Sequence, residues 1–351
     1  MFDLNNIGKK VQIIAEAGCN HNGIMNIAEE LVIQSSNVGA DAVKFQTFKA
    51  KNLSLESAPK ASYQIKATGT AESQYERLKR MEVNQQYHKK LIELCNQKNI
   101  TFCSSPFDIE SATFLYELNV PFYKIPSGEL TNIPLIEHIA AFNKPIILST
   151  GMANLGEIEL ALNKISKCHN QVILMHCTSD YPAKWEESNL KSIQTLKNAF
   201  KLPVGFSDHT QGIELSLIAV ALGAVVIEKH ISLDNNMEGG DHKASLEPKE
   251  FKELVDKVRK VEVALGDGIK RCMESEVNVR NVARKSVVSI KDIEKGERIQ
   301  KESISVKRPG NGISPIYFEI IHDSVATERI PKDSLIYWHQ ILSKKGETNE
   351  N

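Results

Sequence analysis

LPVGFSDHTQGIELSLIAVALGAVVIEKH, residues 202–230, decides the fold. It opens on a short apolar run, LPVGF from Leu202, and closes on another, AVVIEKH from Ala224. Gly212 and Gly223 mark where an intervening helix begins and ends. A helix between two strands returns the chain so that the strands run parallel. Six further runs repeat the pattern upstream: VQIIAE from Val11, DAVKFQ from Asp41, NITFC from Asn99, PFYKI from Pro121, KPIILS from Lys144 and QVILMH from Gln171. Amphipathic segments separate them, among them IAEELVIQSSNVG from Ile27, YHKKLIELCNQK from Tyr87, IESATFLYEL from Ile109 and LGEIELALNKI from Leu155. Eight consecutive βα units predict an α/β chain closed into a (β/α)8 TIM barrel. A doubly wound open sheet is the structural alternative, but GCNHNG follows the first run where a dinucleotide fold has G-x-G-x-x-G. The one long gap, from Asp41 to Asn99, begins with the polar stretch KAKNLSLESAPKASYQIKATGT and reads as an active-site loop.

The chain has 351 residues, room for a barrel of about 250 and a small second domain. Hydrophobic residues make up 41% and charged residues 25%, which excludes global disorder and fibrous repeats. Lys plus Arg is 43 against 44 Asp plus Glu, a net charge of -1, so no global field attracts nucleic acid or an anionic membrane. The start MFDLNNIGKK lacks an apolar targeting region, and no stretch approaches the roughly 20 apolar residues a bilayer needs. A cytoplasmic protein is expected. Its six cysteines include no C-x-x-C pair, so reduced thiols are expected and a zinc cage is not.

Barrels carry their catalytic groups at the carboxyl ends of the strands. Here the runs end at Glu16, Lys44 with Gln46, Ser104 with Ser105, Lys124 with Ser127 and Glu129, Ser149, His176 with Thr178, Ser207 with His209, and Lys229 with His230. His209 and His230 end adjacent strands, where two imidazoles suit one divalent ion with open positions, or are a loop histidine and a strand cap. His176 reads as a hydrogen-bonded core histidine, and His242 as a weaker ligand candidate. Lys44 and Lys124 either pair with Glu16 and Glu129 or bind an anion, since a lone buried ammonium is costly. The hydroxyls of Ser105, Ser127, Ser149 and Ser207, with N–H groups near Gly128 and Gly151, complete a cradle for phosphate or carboxylate. Glu16 and Glu129 are the candidate acid and base, unless they serve only as the lysines' partners.

These motifs resemble the sialic-acid synthase family, bacterial enzymes of N-acetylneuraminate and related nonulosonates. The resemblance runs through IIAEAGCNHNG, GADAVKFQTFK, SSPFD, KIPSGE, LSTGMA, HCTSDYP, GFSDHT, VIEKHISLD, DHKASLEP, ARKSVV and KRPGNGISP. It implies a (β/α)8 barrel followed by a small β-rich antifreeze-like (SAF, β-clip) domain. It also implies condensation of phosphoenolpyruvate with an N-acetylated hexosamine, assisted by Mn2+ or Mg2+. By motif, His209 and His230 hold the metal. Lys44, Ser105, Lys124, Ser127, Ser149, Ser179 and Ser207 hold phosphoenolpyruvate. Glu16 and Glu129 are catalytic, and Tyr181, Asp241 and Arg308 hold the sugar. The family further implies a homodimer in which the C-terminal domain lies over the partner's barrel. GGDH stands where the family pattern has GPDH, so Gly240 loosens the loop carrying Asp241.

The resulting layout is a barrel over residues 1–268, a charged linker over 269–283, the antifreeze-like domain over 284–342, predicted independently by its short strands and glycine turns, and a polar tail over 343–351. The activity read first is that of an N-acetylneuraminate synthase using N-acetylmannosamine. The alternative is an N,N'-diacetyllegionaminate synthase using 2,4-diacetamido-2,4,6-trideoxymannose, with a pseudaminate synthase behind it. A metallohydrolase, which would open with H-x-H on the first strand, and a non-catalytic binding protein are the competing classes.

Overall fold

The computed structural model describes residues 2–4, 7–59, 73–239 and 241–342. It forms two compact units, Met1–Gly266 and Asp267–Asn351. The first carries eight strands: β1 Gln12–Gly18, β2 Ala42–Thr47, β3 Thr101–Pro106, β4 Tyr123–Ile125, β5 Ile146–Ser149, β6 Val172–Cys177, β7 Val204–Asp208 and β8 Val226–His230. They form one sheet in the order β3-β2-β1-β8-β7-β6-β5-β4. The ladders are parallel throughout, including the one that joins β1 to β8. The ends of that order, β3 and β4, lie against each other without a ladder among the described residues, so the expected barrel is observed with a seam beside its shortest strand.

Both faces of the sheet are buried, which is why the runs are apolar without alternating. All seven residues of β1 are buried. Ile13, Ala15 and Ala17 face outward into the core under the helices. Ile14 faces inward and packs with Ala42, Cys103, Phe122, Ile147, Met175 and Val226 in an apolar plug. Each Leu- or Phe-sized side chain so buried contributes about 1.5–3 kcal/mol. Side chains alternate along a strand, so two residues beyond the plug the inward positions become Glu16, Lys44, Lys124, Glu228 and, farther still, His230. Register fixes their order around the barrel, with Glu16 opposite Lys44 on one side and His230 on the other.

Helices follow the strands as predicted, for example Met25–Asn37, Ile109–Glu117, Leu155–Ile165 and Glu214–Ala221. The gap after β2 is not wholly a loop. Ala50–Leu53 makes one helical turn, and Gln74–Met81 is a helix whose Ser73 cap and Glu76 bond reciprocally. That S-x-x-E signature lies just past the polar stretch, and residues 60–72, where the second half of the expected loop falls, lie outside the described residues.

The second unit is the small β-rich domain expected. β9 Ser286–Ser289 pairs antiparallel with β10 Ile304–Lys307, and β11 Val325–Ala326 with β12 Ile341–Leu342. Val287, Ile293, Ile299, Ile304, Ile330 and Ile336 form its own core. In the stretch read as a linker, Glu274–Glu276 and Val277–Ala283 are helical, started by Glu276 accepting from the Met273 N–H at 2.8 Å. Gly240 and the polar tail over 343–351 lie outside the described residues. Among those described, no helix is long and apolar enough to cross a membrane.

Candidate active site

Every first-unit residue to which the family resemblance assigns a role lines one cavity of about 500 Å³ at the carboxyl ends of the strands. Its floor is an ion cluster. Lys44 Nζ lies 2.8 Å from Glu16 Oε2 and 3.6 Å from Glu228 Oε1, and Lys124 Nζ lies 3.3 Å from the same Glu228 oxygen. Lys124 also donates to Ser149 Oγ at 2.8 Å, and Lys44 to Ser105 Oγ at 3.3 Å. Glu228 further accepts from Ser207 Oγ at 3.2 Å, and Glu16 from Gln46 at 3.3 Å.

The two carboxylates differ in basicity for a geometric reason. Burial pushes Glu16 up to about 7 against the pull of its one adjacent ammonium, Lys44. Burial also disfavours the Glu228 anion, but Glu228 sits between Lys124 and Lys44, which together hold it down to about 2. Lys44, although desolvated, is kept charged by Glu16 and Glu228. Two cations against two carboxylates, one of them easily protonated, leave room for an arriving anion.

Glu228 was not among the residues predicted. In VIEKH the period of two puts Glu228 and His230 on one face and Lys229 on the other. The Lys229 read as part of the ring therefore points outward, where its ammonium is buried 3.0 Å from Asp208 Oδ2. Ser104 likewise turns away and bonds Thr47 at 2.7 Å. His176 is the core histidine expected, bonded to the Ser188 carbonyl and stacked on Phe206. His242 bonds Ser232 Oγ at 2.7 Å and does not line the cavity.

The rings of His209 and His230 lie 5.6 Å apart, and the Tyr181 ring lies 4.2 Å from the first and 5.5 Å from the second. Burial lowers His209 to about 4 and His230 well below the usual imidazole range, so both are neutral, the form that ligates metal. The Thr178 carbonyl, 2.6 Å from Nδ1 of His209, fixes that tautomer and leaves Nε2 as the acceptor nitrogen, 3.2 Å from Ser207 Oγ. Nδ1 of His230 is buried with no hydrogen-bond partner. Among the described residues no set of three or more His, Cys, Asp or Glu side chains gathers to enclose an ion. The donor set is thus two neutral imidazoles, which fits a dication that keeps positions open for other ligands.

On the opposite wall Ser127 Oγ accepts from the Gly151 N–H at 3.0 Å and lies 3.1 Å from Cys177 Sγ. A Cβ at Gly151 would come within 2.8 Å of Ser127 Oγ and 3.0 Å of Cys177 Sγ, so only glycine lets these groups close. Glu129 accepts from Asn132 at 2.7 Å, and burial raises its pKa. Asp241 is also raised by burial, opposed by Arg77 and Lys44. Gln74 and Arg77, from the helix missed in the sequence, complete the lining. Arg308 belongs to the second unit, where it is exposed and its Nε donates to the Ala283 carbonyl at 3.0 Å.

This constellation of cations, carboxylates and neutral imidazoles at the mouth of a (β/α)8 barrel defines an enzyme. The NeuB family model matches residues 31–270 and the SAF domain model residues 284–342. The chain belongs to the NeuB family, that of the sialic acid synthases, and is a carbon–carbon bond-forming transferase of that family. It is 52% identical to the N,N'-diacetyllegionaminic acid synthase of Campylobacter jejuni over 93% of this chain and 99% of the relative. To the protein of the same name from Legionella pneumophila it is 43% identical, over 94% of each chain. The solved N-acetylneuraminic acid (sialic acid) synthetase of Leptospira borgpetersenii, in complex with citrate, is similar at 36% identity. Its TM-score is 0.69, covering 78% of this chain and 92% of that one. These relatives back the legionaminate alternative better than the N-acetylneuraminate reading placed first.

Proposed function

We propose that the protein condenses phosphoenolpyruvate with 2,4-diacetamido-2,4,6-trideoxymannose and water, giving N,N'-diacetyllegionaminate and phosphate. The observation that carries this is the sharing of one cavity by two buried ammonium groups and two neutral imidazoles. A dianionic donor needs the first, and an aldehyde that becomes an alkoxide needs an electrophile beside the second. The activity named for both relatives, N,N'-diacetyllegionaminic acid synthase, supports the choice of sugar.

Lys44 and Lys124, with the hydroxyls of Ser105, Ser127, Ser149, Ser179 and Ser207, bind the phosphate and carboxylate of phosphoenolpyruvate. Holding donor and acceptor at attack distance removes much of the entropic barrier. A divalent cation, Mn2+ or Mg2+, held by His209 and His230 would polarise the aldehyde of the open-chain sugar. The third carbon of phosphoenolpyruvate attacks that aldehyde. Glu16, held near neutrality by burial, supplies a proton at the new hydroxyl. Water then adds to the cation at the second carbon and loses its proton to Glu129, and phosphate leaves by C–O cleavage as the ketone forms. Tyr181 and Asp241 hold the sugar. The same proposal includes a homodimer in which the partner's Arg308 reaches the sugar's N-acetyl carbonyl. The exposure of that guanidinium supports this.

The test is a side-by-side assay of the full chain with phosphoenolpyruvate and Mn2+ against the diacetamido sugar and N-acetylmannosamine. Phosphate release with a higher kcat/KM for the diacetamido sugar is expected. Release with neither sugar would refute the proposal, and preference for N-acetylmannosamine would restore the reading placed first.

A further inference from the structure

Away from the ion cluster, the cavity wall holds two polar groups that nothing in the mechanism uses. Arg77 is 5% exposed and lines the cavity, yet no hydrogen bond or ion pair to its guanidinium is found among the described residues. Gln74, one turn earlier on the same helix, has its Oε1 buried without a hydrogen-bond partner. Residues three apart on a helix share a face, so donor and acceptor stand side by side. Leaving either unsatisfied is costly, more so for a charged group, and a ligand that pairs with both accounts for their place on the cavity wall. The positive charge of Arg77 acts on Asp241 and Cys19, whereas Glu16 and Glu228 answer to Lys44 and Lys124. Arg77 therefore belongs to the Asp241 side of the cavity, where the sugar is placed, rather than to the anion cradle.

We infer that Gln74 and Arg77 recognise the second acetamido group of the sugar, with Arg77 donating to its carbonyl oxygen and Gln74 Oε1 accepting from its N–H. An acetamido group presents one acceptor and one donor, on opposite edges of its planar amide, and so needs one partner of each kind, which this pair supplies. The hydroxyl that N-acetylmannosamine carries in its place meets the acceptor but is too short to reach both. The pair is thus a specificity determinant. A site built to bind a polar substituent rejects the analogue that lacks it, because its own groups are then left unpaired. The inference rests on the diacetamido reading of the substrate and names residues that enforce it.

The experiment compares wild type, Arg77→Met, Gln74→Met and Arg77→Lys as full chains with Mn2+ and both sugars. Loss of one charge-assisted hydrogen bond predicts a fall of about 10–100-fold in kcat/KM for the diacetamido sugar in Arg77→Met, carried mainly by KM. The preference over N-acetylmannosamine should shrink by at least about 10-fold, with KM for phosphoenolpyruvate within about twofold of wild type. Gln74→Met, which removes a neutral partner, should lose less, and Arg77→Lys should recover part of the preference. Equal losses for the two sugars, an unchanged preference, or a rise in KM confined to phosphoenolpyruvate would overturn the inference while wild-type turnover of the diacetamido sugar stands. Absence of that turnover in the wild type would instead remove the substrate reading and the inference with it. Unfolding midpoints read on the same samples separate a variant that fails to fold from one that fails to recognise.

Discussion

Replacing Glu228 by Gln removes one charge and keeps the shape, which makes it the most informative perturbation of the ion cluster. Glu228 Oε1 lies 3.3 Å from Lys124 Nζ and 3.6 Å from Lys44 Nζ, with all three side chains at most 5% exposed. At an effective dielectric of about 20, each such pair is worth roughly 5 kcal/mol before desolvation. Returning the carboxylate to water offsets several kcal/mol of that, so the expected net loss is about 3–5 kcal/mol, most of it from leaving the ammonium groups undercompensated. Urea unfolding of the full chain without ligand, followed by far-UV circular dichroism, should show the barrel destabilised by that amount. The same excess positive charge should favour an arriving anion, so phosphoenolpyruvate should raise the variant's midpoint more than the wild type's. A loss under about 1 kcal/mol, or equal stabilisation of both by phosphoenolpyruvate, would refute the assignment of Glu228 as the carboxylate that balances both lysines.

Three further outcomes follow from the same geometry. His209→Ala should abolish metal-dependent turnover and the Mn2+-induced rise in melting temperature while the circular dichroism stays native; retained Mn2+ stabilisation would remove that ligand. Burial raises Glu16 to about 7, so between its unfolded value and that point the folded protein holds a proton the unfolded chain has lost. The resulting stability is present in full below the unfolded pKa and lost as pH rises through about 7, so the wild type's advantage over Glu16→Gln should shrink between pH 5.5 and pH 8. An advantage that grows with pH would show Glu16 to be depressed instead. Gly151→Ala should cost about 1–3 kcal/mol by crowding Ser127 and Cys177 and should raise KM for phosphoenolpyruvate; a variant of wild-type stability and KM would show that the wall yields.

The barrel was legible because a buried parallel strand has no polar face, so each apolar run stands out against the helices around it. The strand ends were legible because polar groups there have few structural reasons to recur. Glu228 escaped because a run of Glu, Lys and His says nothing of which way each points until the register is known. Once Glu16 pairs with His230, alternation assigns Glu228 to the interior and Lys229 to Asp208. The helix Gln74–Met81 escaped because its polar approach hides a capping box, and with it went Arg77 and Gln74. The choice of sugar was not legible at all, since the motifs read for a common donor and metal carry no information on the substituents that differ.

The central claim is that imidazoles and ammonium groups from distant strands serve one cation and one enol phosphate in a single cavity. Crystals of the full chain grown with Mn2+ and phosphoenolpyruvate test it directly. An anomalous manganese peak at ligand distance from both His209 and His230, with the phosphate and carboxylate against Lys44 and Lys124, is the result predicted. Manganese bound away from that histidine pair, or phosphoenolpyruvate bound elsewhere while Lys44 and Lys124 remain closed on Glu16 and Glu228, would contradict it.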